Sequence, residues 1–156
     1  MQKTENSSRG RARILPTGSF AETLVAEDAR FKEVGVQAAM ISLDFQTDGS
    51  DSARDQLIRS RAIRFLQARL SSSDLISEVC THRLSILMAP VESLAALNAF
   101  TRDLSLQLEV AGLPAAAGFA HRRQNESLFD TWARADAQVD RIIFRNHRTP
   151  NGLVLR

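Results

Sequence analysis

The sequence holds a single cysteine, Cys80, so no internal disulfide can form, and no second cysteine stands at a metal-ligand spacing from it. No apolar run approaches the ~20 residues needed to span a bilayer. The first thirty residues are polar and lack the apolar stretch of a secretory signal. There is no internal repeat, and no low-complexity segment beyond the first thirteen residues. These absences argue against a disulfide-stapled secreted domain and against a helical membrane span. What remains is a chain of 156 residues, 44% hydrophobic and 24% charged, the size and composition of one soluble domain with a real core. A cytoplasmic location is the expectation.

The net charge of +2 conceals an asymmetry. Residues 1–13 carry +3, from Lys3, Arg9, Arg11 and Arg13 against Glu5. Residues 141–156 carry +4, from Arg141, Arg145, Arg148 and Arg156, which leaves −5 on the stretch between. Basic ends can grip nucleic acid or an anionic membrane. Here they are read as a flexible leader over 1–13, followed by one domain over 14–156, and as cations that suit the C-terminal end of a helix.

Ser19 is placed to cap a helix reaching about Lys32, with Phe20, Leu24 and Phe31 on one face and Glu22 three residues past the cap. Residues 36–44 are an apolar run and predict a buried strand. Residues 47–52 predict a turn ending in a helix N-cap. From there to Leu70, Ile58, Ala62, Phe65, Leu66 and Leu70 form one helical stripe, and five arginines lie outside it. Residues 75–80 and 84–89 flank a tight connection and predict a β-hairpin, ended by Pro90. Ser93 caps a helix that points Leu94, Leu97, Phe100, Leu104 and Leu108 inward and stops at Gly112 and Pro114. Residues 115–120 predict a short strand. Residues 126–145 predict a long helix with Leu128, Trp132, Ala135, Val139, Ile142 and Ile143 on one face, Trp132 being read as core. Asn151-Gly152 predicts a turn into a last strand at 153–155. Helices alternating with strands around one hairpin give a mixed sheet covered by helices, with a ferredoxin-like βαββαβ core.

Seven segments carry a more specific pattern. Leu15-Pro16-Thr17-Gly18-Ser19-Phe20 precedes the first helix, and Ile41-Ser42-Leu43-Asp44-Phe45-Gln46 ends a strand in an acid. Asp74-Leu75-Ile76-Ser77-Glu78-Val79 leads into Cys80-Thr81-His82-Arg83-Leu84, and Ser85-Ile86-Leu87-Met88-Ala89-Pro90 follows. Ala117-Gly118-Phe119-Ala120 and Arg134-Ala135-Asp136-Ala137 complete the series. In order and spacing the chain, over about residues 14–155, resembles a GGDEF (diguanylate cyclase) domain. The first segment is similar to a shortened Leu-Thr-Gly-Leu-x-Asn-Arg turn, the second to a strand ending in Asp-x-Asp, and the hairpin occupies the place of Gly-Gly-Asp-Glu-Phe. The last segment matches the family's Arg-Ala-Asp-Ala residue for residue. The resemblance implies an α+β, single-domain nucleotidyl-cyclase/GGDEF-like fold with a central mixed sheet of about five strands.

It also implies a chemistry whose residues are largely missing. Such cyclases condense two GTP molecules with a divalent metal between carboxylates and phosphates. The family supplies an acid at the end of the first strand and the Glu of the hairpin. Here Asp44 stands at the first position, but Arg83, a cation that repels a metal, stands at the second, and Gln46 replaces the second acid of Asp-x-Asp. Taken alone, Asp44 reads as a strand-end carboxylate. The family's two glycines let the hairpin backbone approach the nucleotide, whereas Cys80 and Thr81 put side chains there. Asp51 and Asp55 lie where the resemblance places guanine-reading residues, or they are simply N-terminal acids of a helix. The inhibitory Arg-x-x-Asp motif keeps Asp74 but has Ser71 in place of its bidentate guanidinium.

The expectation is therefore a non-enzymatic domain with no catalytic residue, metal or cofactor. It would be a regulatory domain in bacterial cyclic di-GMP signalling that acts through a protein partner. The other reading is a small-molecule receptor that takes cyclic di-GMP, GTP or guanosine tetraphosphate in a remodelled pocket around Asp44, Cys80, Thr81, His82 and Arg83. His82 with Arg83 reads either as a tip that binds phosphate or carboxylate, or as an exposed polar turn. His121-Arg122-Arg123 reads as a basic loop. Cys80 and His82 face the same side of a strand, but the sequence supplies no orienting acid for them. RNA binding on the sheet is not expected, because residues 37–43 and 84–89 hold no aromatic on which bases could stack.

Overall fold

The computed structural model describes residues 11–47 and 49–154, the side chains of 147–154 excepted. Its elements follow in the order β1 (Arg13–Pro16), α1 (Thr17–Val34), β2 (Ala39–Asp44), α2 (Ser52–Gln67), β3 (Leu75–Cys80), β4 (Arg83–Met88), α3 (Leu94–Val110), β5 (Ala116–His121) and α4 (Leu128–Val154). The five strands form one sheet in the order β1-β3-β4-β2-β5. Strand β2 is antiparallel to β4 and β5, β3 is antiparallel to β4, and β1 is parallel to β3. The units β2-α2-β3 and β4-α3-β5 each leave a gap that a strand of the other fills. This is the ferredoxin-like core expected from the sequence, with β1 added at one edge.

Alternation along β2 sorts the core into two layers. Ala39, Ile41 and Leu43 face α2 and α3, where Ala62, Leu66, Leu97, Leu104 and Leu108 pack against them. Met40 faces the other way, toward Phe20, Leu24 and Phe31 of α1 and Leu128 and Ala135 of α4. All six residues of β2 are buried, which is why this strand reads as an unbroken apolar run rather than an alternating one. Between β5 and α4 the layers come unusually close. A Cβ on Gly118 would fall on the backbone carbonyl oxygen of Ala135 and lie 2.9 Å from Gln138 Cβ and 3.0 Å from Val139 Cγ2.

Several expectations are corrected. No strand is expected at Arg13–Pro16, where the leader over 1–13 meets the turn segment Leu15–Phe20. Instead Ala12 is buried in the core, its carbonyl accepts a bond from Gln67 Nε2 at 3.2 Å, and Arg13 opens the strand. Helix α1 begins at Thr17 rather than after a Ser19 cap. Pro16 precedes it without a side-chain cap, and Thr17 Oγ1 donates across to the Glu78 carbonyl at 2.9 Å. Leu94, expected inward, is 55% exposed because the buried stripe of α3 runs through Leu97, Thr101, Leu104 and Leu108. No strand forms at 153–154: α4 continues through Asn151-Gly152 to Val154, and β1 supplies the fifth strand in its place. Leu155 lies outside the described residues.

One ion pair fixes the start of α4. Arg134 donates from Nε to Glu126 Oε2 at 2.8 Å, and from Nη2 to Glu126 Oε1 at 2.7 Å and to the His121 carbonyl at 2.6 Å. Thr131 Oγ1 adds a bond to Glu126 Oε1 at 2.8 Å. The Arg134 hydrogen bonds are the main cause that lowers the Glu126 pKa from 4.5 to about 2, against the opposing effect of burial. A depressed carboxylate stabilises the fold above its unfolded pKa and loses that contribution as pH falls through the folded value. Unfolding stability is therefore expected to drop by about 1–3 kcal/mol between pH ~4.5 and ~2 from this pair. Urea titrations of the wild type and Glu126→Gln across that range check it: the variant should lack this part of the acid dependence.

Candidate functional site

The antiparallel register of β2 and β4 sets Asp44 directly opposite Arg83. Asp44 is 2% exposed. Arg83 donates from Nε and Nη2 to Asp44 Oδ2 at 3.1 and 2.9 Å. The same Nη2 reaches Asp140 Oδ1 at 2.8 Å, and Nη1 lies 3.7 Å from Asp136 Oδ1. Asp136 and Asp140 are one turn apart on α4, so both carboxylates share the face above the sheet. Asp136 Oδ1 also accepts Ser42 Oγ at 2.5 Å, and Trp132 Nε1 donates to Ser85 Oγ at 2.8 Å. The second Asp44 oxygen accepts the Gln46 backbone N–H at 2.7 Å, where Gln46 takes a left-handed φ of 54°. Burial pulls the Arg83 pKa down, but the bonds and charges of Asp140 and Asp44 outweigh it and hold the guanidinium above its ordinary value.

Across the hairpin, Thr81 and His82 form the turn, and the His82 carbonyl accepts the Phe45 backbone N–H at 2.8 Å. Cys80 is exposed, with Sγ 3.6 Å from both ring nitrogens of His82. His82 Nε2 is in turn 3.6 Å from Asp44 Oδ2. The acid that sequence reasoning did not find for the Cys–His pair is thus Asp44, although that carboxylate is already held by Arg83. The donor set does not fit a divalent metal. Asp44 offers no free oxygen, the two other nearby carboxylates lie on the same guanidinium, and among the described residues no group of three or more His, Cys, Asp or Glu could hold one.

Comparison of the sequence with protein-family models gave no match, and comparison with curated proteins gave none. Comparison of the fold with solved structures did. The GGDEF domain of DgcB from Caulobacter crescentus, solved in complex with c-di-GMP, is similar with a TM-score of 0.68 and 16% identity over 89% of this chain and 88% of that one. A sensory box/GGDEF family protein from Caulobacter crescentus CB15 is similar at a TM-score of 0.70 and 17% identity over 81% and 91%. The chain has the fold of a GGDEF domain. A third neighbour, the diguanylate cyclase SiaD of Pseudomonas aeruginosa, solved in complex with its activator SiaC, has a TM-score of 0.64 and 21% identity over 80% of this chain and 53% of that one.

Within that GGDEF fold, Asp44, Cys80, His82 and Arg83 lie together, and Thr81 sits exposed in the turn between them. Asp136, known only as part of a matched segment, and Asp140, which no motif marked, join the cluster. Asp74 sits apart. It is 5% exposed, accepts Ser71 N and Oγ at 2.9 and 3.1 Å and Ala89 N at 3.2 Å, and so ties the turn before β3 to the end of β4. Desolvation raises its pKa against those lowering bonds, so its contribution to stability is full at low pH and fades as pH rises, opposite in sign to Glu126.

A cavity of about 290 Å³ opens beside the hairpin, between the β2–α2 loop, α2 and the turn after α3. Asp51, which caps α2 by accepting Arg54 N at 3.1 Å, lines it. So does Asp55, which is only 8% exposed and whose carboxylate meets no hydrogen-bond or ion-pair partner among the described residues. Thr47 Oγ1, also in the wall, is buried and unpartnered. Buried polar groups without partners are uncommon. The reading as N-terminal acids of a helix fits both, since Asp51 caps α2 and Asp55 lies in its first turn, while Asp55 also faces the cavity.

Proposed function

We propose that this chain is a catalytically inactive GGDEF-type domain that serves as a regulatory, partner-binding module in cyclic di-GMP signalling. One observation carries the reading: the guanidinium of Arg83 sits on Asp44, the carboxylate that a cyclase would need for its metal. The cation that neutralises this strand end is part of the chain, hydrogen-bonded and 15% exposed, so a divalent ion would have to displace it against three carboxylate contacts. The fold is kept while one of the two acids of its metal site is replaced by a cation. Partner binding is a use that survives such a change, and SiaD, with the same fold, was solved with a protein activator.

A second reading is favoured by Asp55. An unpaired carboxylate in the wall of a cavity is an acceptor awaiting a donor pair, such as the N–H groups of a guanine edge. This reading places a nucleotide receptor next to the hairpin rather than on it. Thermal-shift measurements with GTP, GMP, cyclic di-GMP and guanosine tetraphosphate separate the two. The partner-binding reading expects flat curves for all four. A rise that is saturable and disappears in Asp55→Asn would establish the receptor instead.

A further inference from the structure

We propose that the outer surface of α2 and α3 is a docking groove for an acidic amphipathic helix of a partner protein. This rests on the partner-binding reading but names a different surface, on the face of the sheet opposite Asp44 and Arg83. The floor is apolar. Leu106 and Val110, one turn apart on α3, are 57% and 88% exposed, and with Phe65 and Ala111 they line a depression of about 290 Å³. Two large aliphatic side chains so exposed at adjacent turns form a continuous strip of the kind that a partner helix covers with its own i and i+4 residues.

The lip is basic. Arg69 lines the depression and Arg61 reaches the Ala111 carbonyl at its edge, and neither meets a carboxylate among the described residues. Four arginines elsewhere, Arg30, Arg83, Arg122 and Arg134, each meet a carboxylate. Here neutral groups position the cations instead. Arg61 Nη2 donates to the Ala111 carbonyl at 3.4 Å. Arg69 donates to Gln107 Oε1 at 2.5 Å and to the Phe65 carbonyl at 3.1 Å, with its guanidinium 3.4 Å above the Phe65 ring. The guanidinium groups are thus held in place at the groove edge with their charge uncompensated. Of the two acids three residues from Leu106 on α3, Asp103 already accepts Gln107 Nε2 at 2.8 Å, and Glu109 lines a separate cavity with Phe45, Ala115 and Ile142. Apolar floor and uncompensated guanidinium lip together specify an occupant with aliphatic residues on one face and carboxylates along its flank.

The probe is a synthetic helical peptide of about 18 residues with leucines at helical spacing and glutamates on both flanks, compared with the same peptide carrying lysines. Fluorescence anisotropy with the full chain is expected to show saturable binding of the acidic peptide, weakened by salt, and at least about ten-fold weaker binding of the basic one. Arg61→Glu with Arg64→Glu should invert that preference, and Val110→Glu should weaken the acidic peptide by about ten-fold or more. These side chains are exposed, so thermal melting of each variant should stay close to wild type. Three outcomes overturn the proposal. They are no binding, equal binding of both peptides, and binding that Val110→Glu leaves unchanged. Concentration-dependent self-association lost in Val110→Glu would assign the groove to a second copy of this chain, and binding confined to anionic vesicles would assign it to a membrane surface; either also overturns it. Assaying cyclic di-GMP synthesis in the same preparations tests the inactivity reading separately, so failure of the groove and failure of that reading are told apart.

Discussion

Gly118→Ala is expected to cost this protein at least about 4 kcal/mol, a large share of the 5–15 kcal/mol that holds a typical domain together. The reason lies in how α4 meets β5. Gly118 pairs with Ser42 in the sheet, and the space where its Cβ would stand is taken by the Ala135 carbonyl, with Gln138 Cβ and Val139 Cγ2 close behind. A flexible side chain could step aside, but a backbone carbonyl inside a helix cannot move alone. The helix would have to lift as a body. Lifting it would open the packing of Ala135 and Val139, both fully buried, and stretch the bonds that Asp136 and Asp140 make to Ser42 and Arg83. Urea unfolding of the variant should show a sharply reduced midpoint or no cooperative transition. A loss under about 1 kcal/mol would mean that α4 does not sit as close as described.

The second large effect is at Arg83. Removing one member of a buried ion pair leaves its partner charged and uncompensated, which typically costs 3–5 kcal/mol. In Arg83→Ala, Asp44 would stay buried with Asp136 and Asp140 nearby and no cation between them. A loss of about 3 kcal/mol is expected, reduced from the upper figure because Asp140 is 64% exposed and well solvated. Arg83→Glu should cost more, since it adds a fourth negative charge to the group. Combining Arg83→Met with Asp44→Asn should recover part of the loss, with a coupling energy above about 1 kcal/mol in a double-mutant cycle. Additive effects would show that the pair is not coupled.

Much of this architecture was legible because single residues have strong local meaning. The apolar run of β2, the Ser93 cap of α3, which accepts Ala96 N at 3.0 Å, and the tight turn between β3 and β4 all announce themselves. Strand β1 does not. It has four residues, three of them exposed, and owes its existence to the parallel partner β3 rather than to any pattern of its own. The end of α4 was misread for the opposite reason, since Asn151-Gly152 carries a turn signal that the continuing helix overrides. At the site, Asp44 and Arg83 stood out because the resemblance asks for an acid at both positions, and the second holds a cation. Asp136 and Asp140 were hidden, because a pair of acids on a helix acquires meaning only when the fold brings that face over β2 and β4. Asp55 is the instructive case: as a first-turn helix acid it is unremarked, and only its place in the wall of the cavity sets it apart.

The central claim is that the chain's own guanidinium stands where a cyclase holds its metal, and the direct test is turnover. Purified full-length protein would be incubated with GTP and either Mg²⁺ or Mn²⁺, at concentrations high enough for two domains to meet, and the products separated. The account predicts no cyclic di-GMP above the protein-free control with either metal. Accumulation of cyclic di-GMP that scales with protein would contradict it, and would mean that Arg83 leaves Asp44 when nucleotide arrives.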